Sequence, residues 1–450
     1  MLVQSYAPLQ DFRMGFGLAL LLSLVLVDAR PSEVQAGDSA PQSGQAPIRE
    51  ALPARYLPAI KRAAEKGDAA AQFILADANL LGQGVPQDNA VAVEWFRRAA
   101  DQVYAIAQFY LGLAYHKGKG APKDQSEAAR WWKKAADQGF MPAQSFLGNA
   151  YFVGEGVSKD QAQAVRLWKA AVVAKDADSQ FYLGLPRFAK TGVPENLSKA
   201  KFRDLDLDHA FAEGIRAWKI VFNTEIATAQ TRLGWAYMEG AGVPRDQGEA
   251  VRWYRKAADR GLPEAESNLG SAYYEGAGVP LDQVQAVRWQ RKAADQGNAP
   301  AQYSLGNAYV QGAGVPQDFA EAVRWWRKSA DRGYAGAQNN LGQAYYLGKG
   351  VPKDSEMAVR FWRKAADQGN AMAQYNLGNA YNEGQGVTRN FVEAYFWTYL
   401  AVTLDQEGKR DSFAKLRDEA AAKLAPVDLS ATEKRCHQWL SNFKVHARQE

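Results

Sequence analysis

The sequence predicts an all-α protein: a right-handed superhelical α/α solenoid of about nine 36-residue helix-turn-helix repeats with a C-terminal helical cap. Three observations predict this fold. One polar position recurs every 36 residues, each unit holds two helical hydrophobic patterns, and a loop of the form G-x-G-V-P-x-D separates the patterns. Helices of about a dozen residues are marginal alone, so neighbouring units must stack into one continuous core.

The frame of the repeat is a glutamine or glutamate near the start of each first helix. All intervals are 36 residues except the one from Gln180 to Gln230, which is 50 and includes a 14-residue insertion. This irregular unit, 180–229, also has Pro186 where other first helices have Ala, which removes a helix hydrogen bond. We therefore expect a kink or hinge there. The frame positions are Gln72, Gln108, Gln144, Gln180, Gln230, Glu266, Gln302, Gln338 and Gln374.

Each unit contains its own start and stop signals. In the unit from Ala265 to Gly297, the first helix carries Leu269, Ala272 and Tyr273 at i, i+3 and i+4, which forms one apolar stripe. The loop glycines supply the positive φ that ends this helix, and the proline prevents its continuation. An aspartate then begins the second helix. We expect capping boxes, in which each acidic side chain satisfies a backbone N–H, at Asp124 with Glu127, Asp246 with Glu249 and Asp318 with Glu321.

The repeated motifs are A-x-x-x-L-G-x-x-Y, then G-x-G-V-P-x-D, then A-V-R-W-x-R-K-A-A-D-x-G. Together they resemble the Sel-1-like repeat (SLR) family, which is related to tetratricopeptide repeats. The resemblance covers nearly all of residues 53–404 and implies a tetratricopeptide-like, protein-binding scaffold, without indicating its partner. Some members have a disulfide in every repeat, whereas Cys436 is the only cysteine here and lies outside the repeats.

The regions on either side of the repeats predict export and capping. Residues 14–27 form an apolar run shorter than the ~20 residues of a membrane span, and they predict a cleaved signal peptide over 1–29. An uncleaved anchor is the alternative. A flexible linker is expected over 30–52, and helical patterns within 405–450 predict a capping pair. We expect a periplasmic or secreted protein with no transmembrane span in the mature chain.

The first helices of such a solenoid usually line its concave face, and this surface carries the candidate binding residues. Asn amides both donate and accept hydrogen bonds, and Tyr adds contact area, so we predict binding of a protein or extended peptide. A solvated polar face is the alternative. Trp235 stands where other first helices have polar residues such as Asn307, so it should face outward. The candidates are Asn149, Trp235, Asn268, Tyr303, Asn307, Asn340, Tyr375, Asn376 and Asn379.

The second helices carry a periodic set of cations, called here the basic ladder. Such a ladder could bind an anionic polysaccharide or another anionic surface of the cell envelope, whereas the Asp residues beside each set favour a solvated convex face. The net charge is only +5, from 54 basic and 49 acidic residues, so no nucleic acid partner is expected. The ladder comprises Arg252, Arg255, Lys256, Arg288, Arg291, Lys292, Arg324, Arg327, Lys328, Arg360, Arg363 and Lys364.

We expect no enzymatic activity, cofactor or metal. S-x-x-K motifs at 198–201 and 412–415 and a K-T-G at 190–192 occur in the wrong order for penicillin-recognising enzymes, and no S-D-N accompanies them. The four histidines lack the spacing of metal ligands, and no phosphate-binding glycine loop occurs. Cys436 and His437 are adjacent, so on a helix they point in different directions and do not form a nucleophile and base pair.

Overall fold

The computed structural model describes residues 57–173, 223–405 and 408–449. Regular structure in these ranges is helical, and consecutive helices of the repeats pack against each other within each unit. The prediction of an all-α solenoid of helix pairs is confirmed. The described residues divide into an N-terminal unit that ends at Arg260 and a C-terminal unit that begins at Gly261.

The N-terminal unit contains one helix followed by four pairs. Its helices are α1 Leu57–Glu65, α2 Ala69–Leu81, α3 Asn89–Asp101, α4 Ala105–Lys117, α5 Gln125–Asp137, α6 Met141–Val153, α7 Gln161–Val172, α8 223–239 and α9 Gln247–Ala258. The helix α1 takes the place of a second helix before the first repeat, because Gln72 donates its Nε2 hydrogen to the carbonyl of Ala64 at 3.1 Å.

The C-terminal unit contains four pairs and the two helices of the cap. Its helices are α10 Pro263–Glu275, α11 Gln283–Asp295, α12 Ala299–Gln311, α13 Phe319–Asp331, α14 Ala335–Leu347, α15 Ser355–Asp367, α16 Ala371–Glu383, α17 Phe391–Leu404, α18 Arg410–Ala421 and α19 Pro426–Gln449. None of the helices that the structure describes is long and apolar enough to cross a membrane.

The frame glutamine is a buried bridge between helices. Gln338 donates its Nε2 hydrogen to the carbonyl of Ala330, at the end of the preceding second helix, over 3.3 Å. Its Oε1 accepts a hydrogen bond from Gln368, at the end of its own second helix, over 2.7 Å. Because the Gln338 side chain is buried, its hydrogen bond to the Ala330 carbonyl ties one repeat to the preceding one.

The loop between the helices of a pair requires glycine for two different reasons. Gly312 ends α12 in the left-handed conformation, with φ 68°, and its N–H bonds to the carbonyl of Ala308. Gly314 has φ 74°, and a Cβ there would lie 2.1 Å from the carbonyl oxygen of Gln283, at the start of the preceding second helix. The second glycine therefore allows the backbones of two neighbouring repeats to touch.

The expected capping boxes form only in part. The Asp318 carboxylate accepts the N–H groups of Ala320 and Glu321 at 2.9 and 3.0 Å, as predicted. The reciprocal bond, from the Asp318 N–H to the Glu321 carboxylate, does not form, so this part of the prediction is wrong. The Asp318 N–H donates instead to the Tyr309 carbonyl in the loop, at 3.0 Å. Glu321 instead pairs with Arg324 at 2.5 Å. The same arrangement occurs at Asp124 with Glu127 and at Asp246 with Glu249.

The structure describes eight helix pairs, not nine. Although α7 and α8 are far apart in sequence, they are neighbours in space: Trp168 packs with Leu233, and a Cβ at Gly242 would lie 2.3 Å from the carbonyl oxygen of Gln161. This is the contact that the second loop glycine makes between other neighbouring units. The predicted unit at 180–229 lies outside the described residues up to residue 222, as does the expected kink at Pro186.

The two C-terminal helices cover the last repeat, as the sequence predicts. The helix α19 packs against α17, with Cys436 fully buried and its sulfur 3.9 Å from the carbonyl oxygen of Phe396. Arg435 pairs with Glu393 at 2.5 Å on the same interface. The cap therefore shields an apolar surface that a further repeat would otherwise cover.

Candidate functional site

The candidate binding residues lie on the first helices of both units. In the N-terminal unit, Asn149 is 9% exposed, and its Oδ1 accepts a hydrogen bond from the Trp168 indole at 3.3 Å. It therefore orients a buried tryptophan. Trp235 is half-buried and makes an edge-on contact with Phe152, with ring centroids 5.1 Å apart. Part of the Trp235 ring stays accessible to a ligand.

In the C-terminal unit, four asparagines form a hydrogen-bonded row across α12, α14 and α16, which we call the asparagine row. Asn340 donates to Asn307 at 3.0 Å, Asn339 donates to Asn340 at 3.4 Å, and Asn376 donates to Asn339 at 3.0 Å. All four side chains are half-buried. Sequence reasoning found three of these residues and missed Asn339, although it is adjacent to Asn340.

Asn268 and Asn379 differ from the asparagine row. Both are half-buried, and within the described ranges their side-chain amides have no hydrogen-bond partner. Such amides are available to a ligand. The two candidate tyrosines are partly covered by neighbouring rings: Tyr303 lies 5.2 Å from Tyr334, and Tyr375 stacks on Phe413 of the cap at 4.8 Å.

A pocket of about 270 Å³ opens between α12, α13 and α14. Its walls are mainly apolar, and two candidate asparagines contribute polar groups to them. The Asn307 Oδ1 accepts a hydrogen bond from the indole N–H of Trp326 at 3.1 Å, in addition to the bond from Asn340. The lining includes Asn307, Val310, Phe319, Trp326, Asn340 and Leu347. We call this cavity the Trp326 pocket.

Sequence reasoning missed the apolar part of this site. The candidates named from the sequence do not include Val310, Phe319, Trp326 or Leu347, because the pocket exists only where the helices of two successive pairs meet. Lys349, in the following loop, stands at the same site with its Nζ 5.4 Å from the centre of the Phe319 ring. The pocket thus combines apolar walls, amide groups and one cation, a combination typical of ligand-binding sites.

Most cations of the basic ladder have partners within the fold. Arg291 donates to the hydroxyl of Tyr309, on the next first helix, at 2.5 Å. Arg327 and Arg363 make the same bond to the next tyrosine. Three lysines lie over tryptophan rings at 3.9 to 4.2 Å: Lys256, Lys292 and Lys328. Two further cations, Arg252 and Arg324, pair with glutamates three residues earlier.

Arg288 and Arg360 are exposed, and neither has a partner among the residues that the structure describes. The ladder therefore stabilises the stack through cation–π contacts and Arg–Tyr bonds, and leaves few free charges for a polyanion.

The titratable groups outside these surfaces have structural surroundings. Burial raises the pKa of the Cys436 thiol to about 12, so the thiol is protonated at neutral pH. The neighbouring His437 lies against the Tyr399 ring instead, at 5.9 Å. Ser412 donates its hydroxyl to the carbonyl of Lys409 at 2.8 Å, whereas the motifs at 190–201 lie outside the described residues. In the described part of the chain, no group of three or more His, Cys, Asp or Glu could hold a metal.

Helix pairs stacked by a bridging glutamine and a double-glycine loop define a tetratricopeptide-like repeat protein. The Sel1 repeat model matches residues 69–104, 105–140, 142–172, 227–262, 263–298, 299–334, 335–370 and 371–405, more than half of the chain. The chain therefore belongs to the Sel1 repeat family. The model matches eight segments, one fewer than the nine units that the sequence frame suggests.

Solved structures with the same kind of repeat are similar to this chain. A Sel1 repeat protein from Oxalobacter formigenes is 27% identical, with a TM-score of 0.52 over 88% of this chain and 99% of that one. A protective antigen of uropathogenic Escherichia coli with an SLR fold is 29% identical, with a TM-score of 0.37 over 88% of each chain. No curated protein sequence matches.

Proposed function

We propose that this protein is a non-enzymatic scaffold that binds a protein, or an extended peptide, through the first helices of its repeats. Sel1 repeat proteins generally act as protein-interaction scaffolds, and their fold is typically non-catalytic. The binding surface of this proposal is the side of α10, α12, α14 and α16 that carries Asn268, the asparagine row, Asn379 and the Trp326 pocket. We call it the first-helix face, and we expect it to be the concave one.

The Trp326 pocket is the observation that carries this proposal. It places an apolar cavity of about 270 Å³ beside the amides of Asn307 and Asn340. The unpaired amides of Asn268 and Asn379 lie on α10 and α16, one helix pair before and one after those of the pocket. An extended peptide presents one N–H and one C=O per residue and a side chain at intervals, so it can use amides and an apolar pocket together.

We also propose that the protein works in the periplasm or outside the cell. The support is the apolar run at 14–27, which follows Arg13 and is short for a membrane span. Cell fractionation and N-terminal sequencing of the mature protein test this part. Export with cleavage near residue 29 is expected, and a full-length chain in the cytoplasmic fraction would refute it.

Site-specific photo-cross-linking tests the binding surface. We would place benzoylphenylalanine at Asn268 or Asn379 on the first helices, and at Arg288 or Arg360 on the second helices as matched controls. The same partner should be captured from both first-helix positions. Its capture should fall when Asn307 and Asn340 are both changed to Ala, because the partner loses the pocket amides.

Two results would overturn the proposal. The first is capture of the partner only from the Arg288 and Arg360 positions. The second is retention on an acidic polysaccharide that is lost steeply as salt rises and does not change in the Asn307 and Asn340 variant, since screening weakens binding to exposed cations. Either result would assign binding to the basic ladder.

A further inference from the structure

Four repeats carry tryptophan at the same position of the second helix: Trp132, Trp168, Trp326 and Trp362. In each repeat the indole packs against the glycine of the first helix, so its place is fixed by the backbone. A Cβ at Gly306, for example, would lie 2.5 Å from Cδ1 of Trp326. The four rings are therefore equivalent, and differences around them come from other residues.

In three of these repeats, an aromatic side chain of the first helix covers the tryptophan. The ring centroids are 5.4 Å apart for His116 and Trp132, 5.6 Å for Phe152 and Trp168, and 5.5 Å for Tyr346 and Trp362. These distances are typical of favourable aromatic pairs. The covering residue holds the same place in each repeat, four positions after the helix glycine.

In the fourth repeat this position is Val310, and here the pocket opens. Valine has no ring to place over the indole, so Trp326 and Val310 become walls of the pocket. A cavity of about 150 Å³ is sufficient to hold benzene. The volume of about 270 Å³ therefore accommodates a whole aromatic side chain.

We propose that the Trp326 pocket binds an aromatic side chain of the partner, whose ring takes the place that His116, Phe152 and Tyr346 fill in the other repeats. This inference rests on the proposed function and specifies what the first-helix face recognises. The partner is an extended segment with a Phe, Tyr or Trp at the pocket. Asn340 and Gln343, which also line the pocket, are placed to bond with the peptide groups on either side of that residue.

Lys349 adds a charge preference to the same site. Its ammonium group lies at the pocket beside Phe319, and no carboxylate in the described ranges comes within ion-pair distance of it. A carboxylate next to the aromatic residue of the partner would complete this pair, partly screened from water by the apolar walls. The structure thus favours a segment in which an acidic residue adjoins the aromatic one.

The probe for this proposal is N-acetyl-aspartyl-phenylalanine amide, titrated into the full-length protein and followed by saturation-transfer difference NMR. Its dissociation constant should be on the order of millimolar, because a single side chain supplies most of the contact. N-acetyl-aspartyl-alanine amide should give no saturable signal. The change Lys349→Gln should weaken binding of the acidic probe by about threefold, and it should leave binding of N-acetyl-phenylalanine amide unchanged.

A pair of matched substitutions gives opposite expectations. Val310→Tyr supplies the missing ring, so it should fill the pocket and weaken probe binding by about tenfold or more. Tyr346→Val uncovers Trp362 in the next repeat, so it should create a second pocket and raise the number of bound probe molecules from roughly one to two. Circular dichroism should show that both variants keep the helical content of the parent protein.

Unchanged probe affinity in Val310→Tyr, with helical content retained, would overturn the proposal. If that variant also still captures its partner from the Asn268 and Asn379 positions, the aromatic specificity fails while the proposed function stands. If Val310→Tyr abolishes probe binding but no partner is captured from those positions, the pocket specificity stands and the proposed function fails.

Discussion

Replacing Gly314 by alanine tests whether the repeats are joined through direct backbone contact. Gly312 and Gly314 belong to the same loop, and both have a positive φ, 68° and 74°. They differ in their surroundings. The nearest atom to a Cβ at Gly312 would be the Gln317 Cβ at 3.5 Å, an ordinary contact, whereas a Cβ at Gly314 would lie 2.1 Å from the Gln283 carbonyl oxygen.

The two substitutions should therefore have different costs. Gly312→Ala carries only the strain of a left-handed backbone in a residue with a Cβ, about 1–2 kcal/mol. Gly314→Ala carries the same strain and must also move two neighbouring repeats apart, which adds about 1–3 kcal/mol by analogy with overpacked cores. The free energy of unfolding should fall by about 2–5 kcal/mol in this second variant.

The assay is urea unfolding followed by far-ultraviolet circular dichroism, with native-state hydrogen exchange of α11 and α12 as a local measurement. In Gly314→Ala, exchange should increase both at the start of α11 and at the end of α12, because the contact joins these two repeats. In Gly312→Ala we expect the increase mainly at the end of α12. Equal loss of stability in the two variants would show that the close approach contributes nothing and that only the dihedral angle matters.

Three further outcomes follow from buried or capping groups. Asp318→Ala should lower the free energy of unfolding by about 1 kcal/mol, and Glu321→Ala by less than about 0.5 kcal/mol, because the glutamate makes only an exposed ion pair; equal urea midpoints would contradict this. Burial raises the pKa of Glu266, so folding favours the protonated carboxyl group. The stability that this group contributes is present below pH 4.5 and is lost as pH rises through the raised pKa. In urea titrations, Glu266→Gln should therefore stabilise the protein at pH 7 but not at pH 4. The Cys436 thiol should react with Ellman's reagent at pH 8 only after unfolding, and rapid reaction of the native protein would disprove its burial.

Much of the fold could be predicted from the sequence because it depends on the repeated positions. The glycine, proline and aspartate of the loop act locally, so their spacing alone gives the bounds of the helices to within a few residues. The capping boxes show the limit of this reasoning. The motif of Asp318 with Glu321 predicts that the glutamate accepts a hydrogen bond from the Asp318 N–H. In the structure this N–H donates to the Tyr309 carbonyl instead, and that contact depends on how the loop folds back.

The candidate site was harder to predict because the hydrogen-bond partners of its residues lie on other helices and are not evident from the sequence. Asn307 reads as an exposed amide, but it accepts hydrogen bonds from Trp326 and Asn340. Its helical position indicates the correct surface, while its partners come from a second helix 19 residues later and from the next repeat. Conversely, the Arg residues of the basic ladder read as free charges, and Arg291 is instead bonded to Tyr309.

Specificity in such a scaffold should be sought where one repeat departs from the others. Positions that every repeat shares are already used for stacking: the frame glutamine bridges neighbouring units, and the second loop glycine brings their backbones into contact. Val310 departs at a position where the other tryptophan-bearing repeats place a ring, and a cavity opens over Trp326 as a result. Because stacking holds the rest of the repeat in place, a single small side chain can create a binding pocket without disturbing the fold.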